Sequence, residues 1–205
     1  MTVAVRYNGR IEGVIPLNHN VSQQMHMILA NVGIPMIFWQ LPSATFALVP
    51  VALLETCVAS RLLKHRFVDT VRPVFIANLF STFIGIPIAW IAMLALNIIT
   101  TGGSAHGFDT PFDAFRSVVL QASWLVPYED DLVWLVPSAT IVLLVPYFLA
   151  SVKAEHWFLK PRIASTAPSV LARAVWISNA VSYGCLLAYS IYWLTSSIGT
   201  PTPAG

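Results

Sequence analysis

A chain of 205 residues that is 57 % apolar and only 10 % charged cannot hide its apolar surface inside a water-soluble fold. Soluble domains are about 25 % charged. The formal net charge is +2 and no basic stripe interleaves with aromatics, which argues against nucleic acid as a partner. The composition places the chain in a bilayer.

Residues 1–26 read as an external tail. No basic start followed by an apolar run is present, so no secretory signal is expected, and no lipidation motif is visible at either end. His19, Met25, His26 and Met27 fall within "NHNVSQQMHMIL". Imidazole and thioether ligands suit copper, with His106 as a further candidate, so copper handling is the weakest of three functional readings. No metal site or other cofactor is otherwise expected, although bound lipid is.

Met27 to Trp39 is apolar but short, and Gly33 and Pro35 interrupt it. It suits a re-entrant or interfacial piece, with a fifth span as the alternative. A spanning helix needs about 20 mostly apolar residues. Four segments qualify: Pro42 to Leu63, Pro73 to Asn97, Trp134 to at least Ser151, and Ala174 to Leu194. The expected class is an all-α integral membrane protein with four transmembrane helices.

Between spans two and three lies an acidic loop, 98–132. "DTPFDAFRSVVLQASWLV" inside it predicts a helix near 111–126: Thr110 caps it, Pro111 takes the first position and Asp113 meets the positive end. Phe112, Phe115, Val119 and Leu120 share one side, so this helix is expected to lie on the outer membrane surface. Residues 195–205 read as a disordered tail.

Lysine and arginine set the orientation. Arg61, Lys64, Arg66 and Arg72 surround the first connection, and Lys153, Lys160, Arg162 and Arg173 the third. These two connections should be cytoplasmic. The acidic loop and both termini should then lie outside, as in a bacterial-type inner membrane.

The phrase "WQLPSAT" from Trp39 returns as "WLVPSAT" from Trp134, an offset of 134 − 39 = 95. Pro50 and Pro146 follow at 96, Glu55 and Glu155 at 100. Arg72, Asn78 and Ser81 match Arg173, Asn179 and Ser182 at 101. Such self-similarity predicts two helix-hairpin copies, 27–97 and 133–194. Each copy crosses twice, so the copies point the same way, related by an axis along the membrane normal.

The shared letters have physical reasons. Trp39 and Trp134 suit the outer interface. Pro42 and Pro137 suit a helix's first turn. Arg72 and Arg173 can reach lipid phosphates at the inner mouth. Cys57 and Cys185, far apart in apolar runs, read as small buried hydrophobes.

Glu55 stands six residues before Arg61, and Asn78 six after Arg72, so the two side chains can meet at one depth. Ser81 shares the face of Asn78. Glu155, Asn179 and Ser182 can do likewise, with Glu155 nearer water because Lys153 precedes it. A carboxyl there costs about 2.5–3.5 kcal/mol on insertion scales. Two meanings stay open for this set: polar glue within each hairpin, or a proton or ion site.

No catalytic constellation is found, so an enzyme is not expected. The first functional reading is a structural or accessory subunit of a larger membrane complex. Its partners would be lipid and either other membrane subunits or a second copy. The second reading is a small proton- or ion-linked transporter using Glu55.

Overall fold

The computed structural model describes the backbone of residues 2–7 and 10–16, and residues 35–102, 107–125 and 133–199. It has two compact units, Met1–Gly33 and Ile34–Gly205. His19, Met25, His26, Met27, His106 and the acids at 129–131 lie outside the described residues, as does most of the expected re-entrant piece.

The first unit holds a strand pair. Strands β1 (Thr2–Tyr7) and β2 (Arg10–Pro16) pair antiparallel, from Thr2 opposite Pro16 to Tyr7 opposite Arg10, with an irregularity between Val5 and Arg6. The signal was in the sequence: "TVAVRY" and "RIEGVIP" flank Asn8-Gly9, a dipeptide favoured in two-residue hairpin turns.

The second unit is helical, with five helices among the described residues: α1 (Met36–Leu63), α2 (Phe67–Thr101), α3 (Pro111–Gln121), α4 (Leu135–Leu159) and α5 (Pro168–Gly199). All but α3 are long and apolar enough to cross a bilayer, and the chain is an integral membrane protein. Phe46, Phe83, Ile88, Val145 and Tyr192 are among the side chains left for lipid.

Helix ends differ from those expected at two places important for packing. Helix α1 starts at Met36, so Met36–Trp39 belong to the first span and Pro42 sits inside the helix rather than in its first turn. The Met36 N–H finds the Ser123 carbonyl at 3.0 Å, which holds this helix end against the turn after α3. Pro137 does lie in the first turn of α4. Helix α5 runs to Gly199, into the expected tail. Its last hydroxyls turn back on the helix: Thr195 and Ser196 donate to the Tyr192 carbonyl and Ser197 to that of Trp193, each at 2.9 Å.

Helix α3 starts as expected, with Thr110 Oγ1 accepting from the Asp113 N–H at 3.1 Å. It packs on α2 and α4, burying Ser117, Val118 and Gln121. Trp90 donates to the Ser123 carbonyl at 2.9 Å and stacks edge-on with Trp124. Phe112 and Phe115 point outward, 65 % and 63 % exposed. The sequence periodicity marked the apolar side, but small and polar residues on the other side make the closer helix contact.

The four long helices pack in a ring. Helix α1 touches α2 and α5, and α4 touches the same two. Buried apolar residues form two clusters. One, with Met36, Ile86, Val118 and Leu143, joins the starts of α1 and α4 to α2 and α3. The other, with Ala59, Val74, Ala77, Val152, Leu171 and Val175, closes the opposite end. Ala77 is fully buried there. Ala77→Leu is expected to cost about 1–3 kcal/mol through overpacking. The lipid-facing Phe83→Leu should leave stability unchanged. Unfolding in mixed micelles measures both, and an unaffected Ala77→Leu would mean this end is not tightly packed.

Candidate functional site

A polar layer lies between the two apolar clusters. Glu55 on α1 is 0 % exposed and Glu155 on α4 is 2 % exposed. Asn78 Nδ2 donates to Glu55 Oε2 at 2.7 Å and to the Val74 carbonyl at 3.1 Å, using both amide hydrogens. Asn179 Nδ2 donates to Glu155 Oε2 and to the Val175 carbonyl at the same two distances. Each asparagine is thus steered by its own helix carbonyl toward an acid on the neighbouring helix.

The serines act differently from the expected within-pair glue. Ser81 Oγ on α2 donates to Glu155 Oε1 at 3.0 Å, and Ser182 on α5 donates to Glu55 Oε1. Each serine therefore crosses to the acid that its asparagine neighbour does not bind. Helix spacing put Asn78 and Ser81 on one face, but an i,i+3 face is wide enough to touch two helices. The result is one ring of bonds through all four long helices.

Lys153 is exposed and Glu155 buried, because two residues along a helix are about 200° apart around it. Arg72, Arg173 and Trp39 are exposed, while Trp134 is half-buried. Cys57 is half-buried and Cys185 exposed, both free, so neither is the buried hydrophobe expected.

A cavity of about 460 Å³ runs along the middle of the bundle, lined by all four long helices. On α1 its wall repeats every four residues, from Ala47 through Val51 to Glu55, the period of one helix face. Toward the helix starts, Gln40 Nε2 donates to Thr140 Oγ1 at 3.0 Å, joining α1 directly to α4. From that bond to the acids is 55 − 40 = 15 residues on α1 and 155 − 140 = 15 on α4, about 22 Å of helix in each. Glu55, Glu155, Asn78 and Ser81 meet the cavity floor. The second apolar cluster lies beyond them.

Among the described residues the wall carries no lysine, arginine or histidine. The side chains hydrogen-bonded to the two carboxyls are Asn78, Asn179, Ser81 and Ser182, with no cation among them. The wall does carry Tyr147, Tyr183, Tyr189 and Trp193. Tyr183 shares a 2.8 Å hydrogen bond with Ser151, whereas the Tyr147 hydroxyl and Asn179 Oδ1 are buried without a partner. Among the described residues no group of three or more His, Cys, Asp or Glu gathers as a metal site.

The cavity, the tyrosines and the serine exchange were missed by sequence reasoning. The tyrosines left a signal: Tyr183 and Tyr189 follow the Asn179–Ser182 motif on the same helix. No protein-family model, no curated protein and no solved structure matches the chain.

Proposed function

We propose that this protein is a small membrane carrier in which Glu55 and Glu155 take up a proton or another cation from the central cavity. One observation carries the reading: two buried carboxyls meet at the base of a cavity, and each is bound from both neighbouring helices. Glue confined to each hairpin would not need a cavity or a second acid. Carrier sites lie at the interface between repeats, and here Ser81 and Ser182 each bind the acid of the other helix pair.

The matched bonds support reading the chain as two like-oriented hairpin copies, α1–α2 and α4–α5. The basic connections then face the cytoplasm, and both termini and α3 lie outside, in a bacterial-type inner membrane. In that orientation the cavity faces outward. Ala59, Val74, Ala77, Leu171 and Val175 form the inner barrier, and alternating access consists of opening that barrier while the end near Gln40 and Thr140 closes. Flux across proteoliposomes, driven by a proton or cation gradient, tests the proposal. Glu55→Gln should remove it, and undiminished flux would reject a role for the acid.

The accessory-subunit reading draws on a different feature. Phe108, Phe112 and Phe115 are exposed at the start of α3, where a neighbouring membrane subunit could dock. Native gels of gently solubilised membranes should then show a complex far above 22.5 kDa. A monomeric band at native abundance would count against that reading.

A further inference from the structure

We infer that the cavity accepts an organic cation, its ammonium group held at Glu55 and Glu155 and its hydrocarbon body lying along the aromatic wall. The inference rests on the carrier reading and names the class of solute for the same site.

Charge excludes anions first. Among the described residues the wall offers two carboxyls and no basic side chain, so an anionic solute would meet repulsion there. Size and donor set argue next. A cavity of about 460 Å³ is in the range of sites for small organic molecules. A bare inorganic ion fills a small fraction of that space and needs several oxygen ligands at once. The carboxyl oxygens here already accept from Asn78, Asn179, Ser81 and Ser182.

The serines make room for an ammonium group without loss. A serine hydroxyl has one hydrogen. Ser81 Oγ lies 3.0 Å from Glu155 Oε1 and 3.1 Å from its own-helix Asn78 carbonyl. Ser182 Oγ likewise has the Asn179 carbonyl at 3.0 Å as a second acceptor. Each hydroxyl can turn from the acid to the helix carbonyl and leave one carboxyl oxygen free. An arriving N–H or N–CH₃ group then takes that place.

The aromatic wall supplies the remaining selectivity. Tyrosine and tryptophan faces attract cations, and aromatic cages are used for quaternary ammonium ligands. Tyr147, Tyr183, Tyr189 and Trp193 line the cavity above the acids. The buried Tyr147 hydroxyl has no partner in this state, so the wall holds an unused hydrogen-bonding group as well.

The test uses the full chain in lipid nanodiscs. Labelled benzyltrimethylammonium and phenethylammonium are the probes; benzyl alcohol, benzenesulfonate, sodium and potassium are the competitors. Saturable binding of at least one probe is expected, with no competitor displacing it at hundredfold excess. Glu55→Gln with Glu155→Gln should weaken binding at least tenfold. Ala47→Phe, which narrows the cavity without touching an acid, should do the same and guards against misfolding of the amide variant.

Binding of neither probe, displacement by sodium or benzyl alcohol, or full binding by both variants would overturn the inference. Gradient-driven flux in the same protein separates the two levels. Flux without probe binding leaves the carrier and rejects the solute class, whereas absence of both rejects the carrier too.

Discussion

In proteoliposomes, Glu55→Gln combined with Glu155→Gln is expected to fold as the parent does and to lose flux by about a hundredfold or more, the scale on which a positioned acid–base group acts. The two outcomes separate because an amide keeps the hydrogen bonds and loses the charge. Gln Oε1 can still accept from Asn78 or Asn179 at the positions now 2.7 Å away. Gln Nε2 can donate to the serine, whose own hydrogen then turns to the helix carbonyl at 3.1 or 3.0 Å. Packing is therefore preserved while proton uptake and cation attraction are removed. Elution volume and helicity check the fold, and ion-gradient flux checks the function. Parent-like flux from a folded double amide would leave the acids as structural elements only.

Asn78→Leu is expected to destabilise the bundle by about 1.5–3 kcal/mol, the range for a hydrogen bond to a charged or strongly polar group. Leucine fills nearly the same volume but leaves Glu55 Oε2 without its donor, at a residue that is 0 % exposed. Adding Glu55→Leu removes the stranded acceptor, so the double variant should be more stable than the sum of the singles. Polar pairs in membranes average about 0.6 kcal/mol in such cycles, with a maximum near 1.7. The Glu55–Asn78 coupling should fall in the upper half, about 1–1.7 kcal/mol, because an apolar cluster seals one side and few alternative donors exist. Glu155 with Asn179 should behave alike, since its donor sits at the same 2.7 Å. Unfolding titrations in mixed micelles give all four corners, and strictly additive effects would mean the contact contributes nothing.

Both results concern contacts that differ in how legible they were. Meeting of Glu55 with Asn78 follows from two facts available in a line of letters: hydropathy marks helices, and equal rise per residue puts equidistant side chains at one depth. The start of α3 was legible for a similar reason, as Thr110, Pro111 and Asp113 act within a single turn. Asn8-Gly9 between β-branched runs is an equally local signal, though a two-residue turn is far weaker than the unbroken apolar runs farther on.

What the sequence determined by itself is short-ranged: membrane class, four long helices, and which polar residues share a depth. These depend on composition and on helix geometry, neither of which needs a neighbour. Which acid each serine reaches, where α3 docks and whether a cavity exists were decided only by the tertiary structure. Those depend on how helices rotate about their own axes when they pack. A rotation of a few tens of degrees redirects Ser81 from Glu55 to Glu155 without changing one feature of the hydropathy pattern, since α2 touches α1 on one side and α4 on the other.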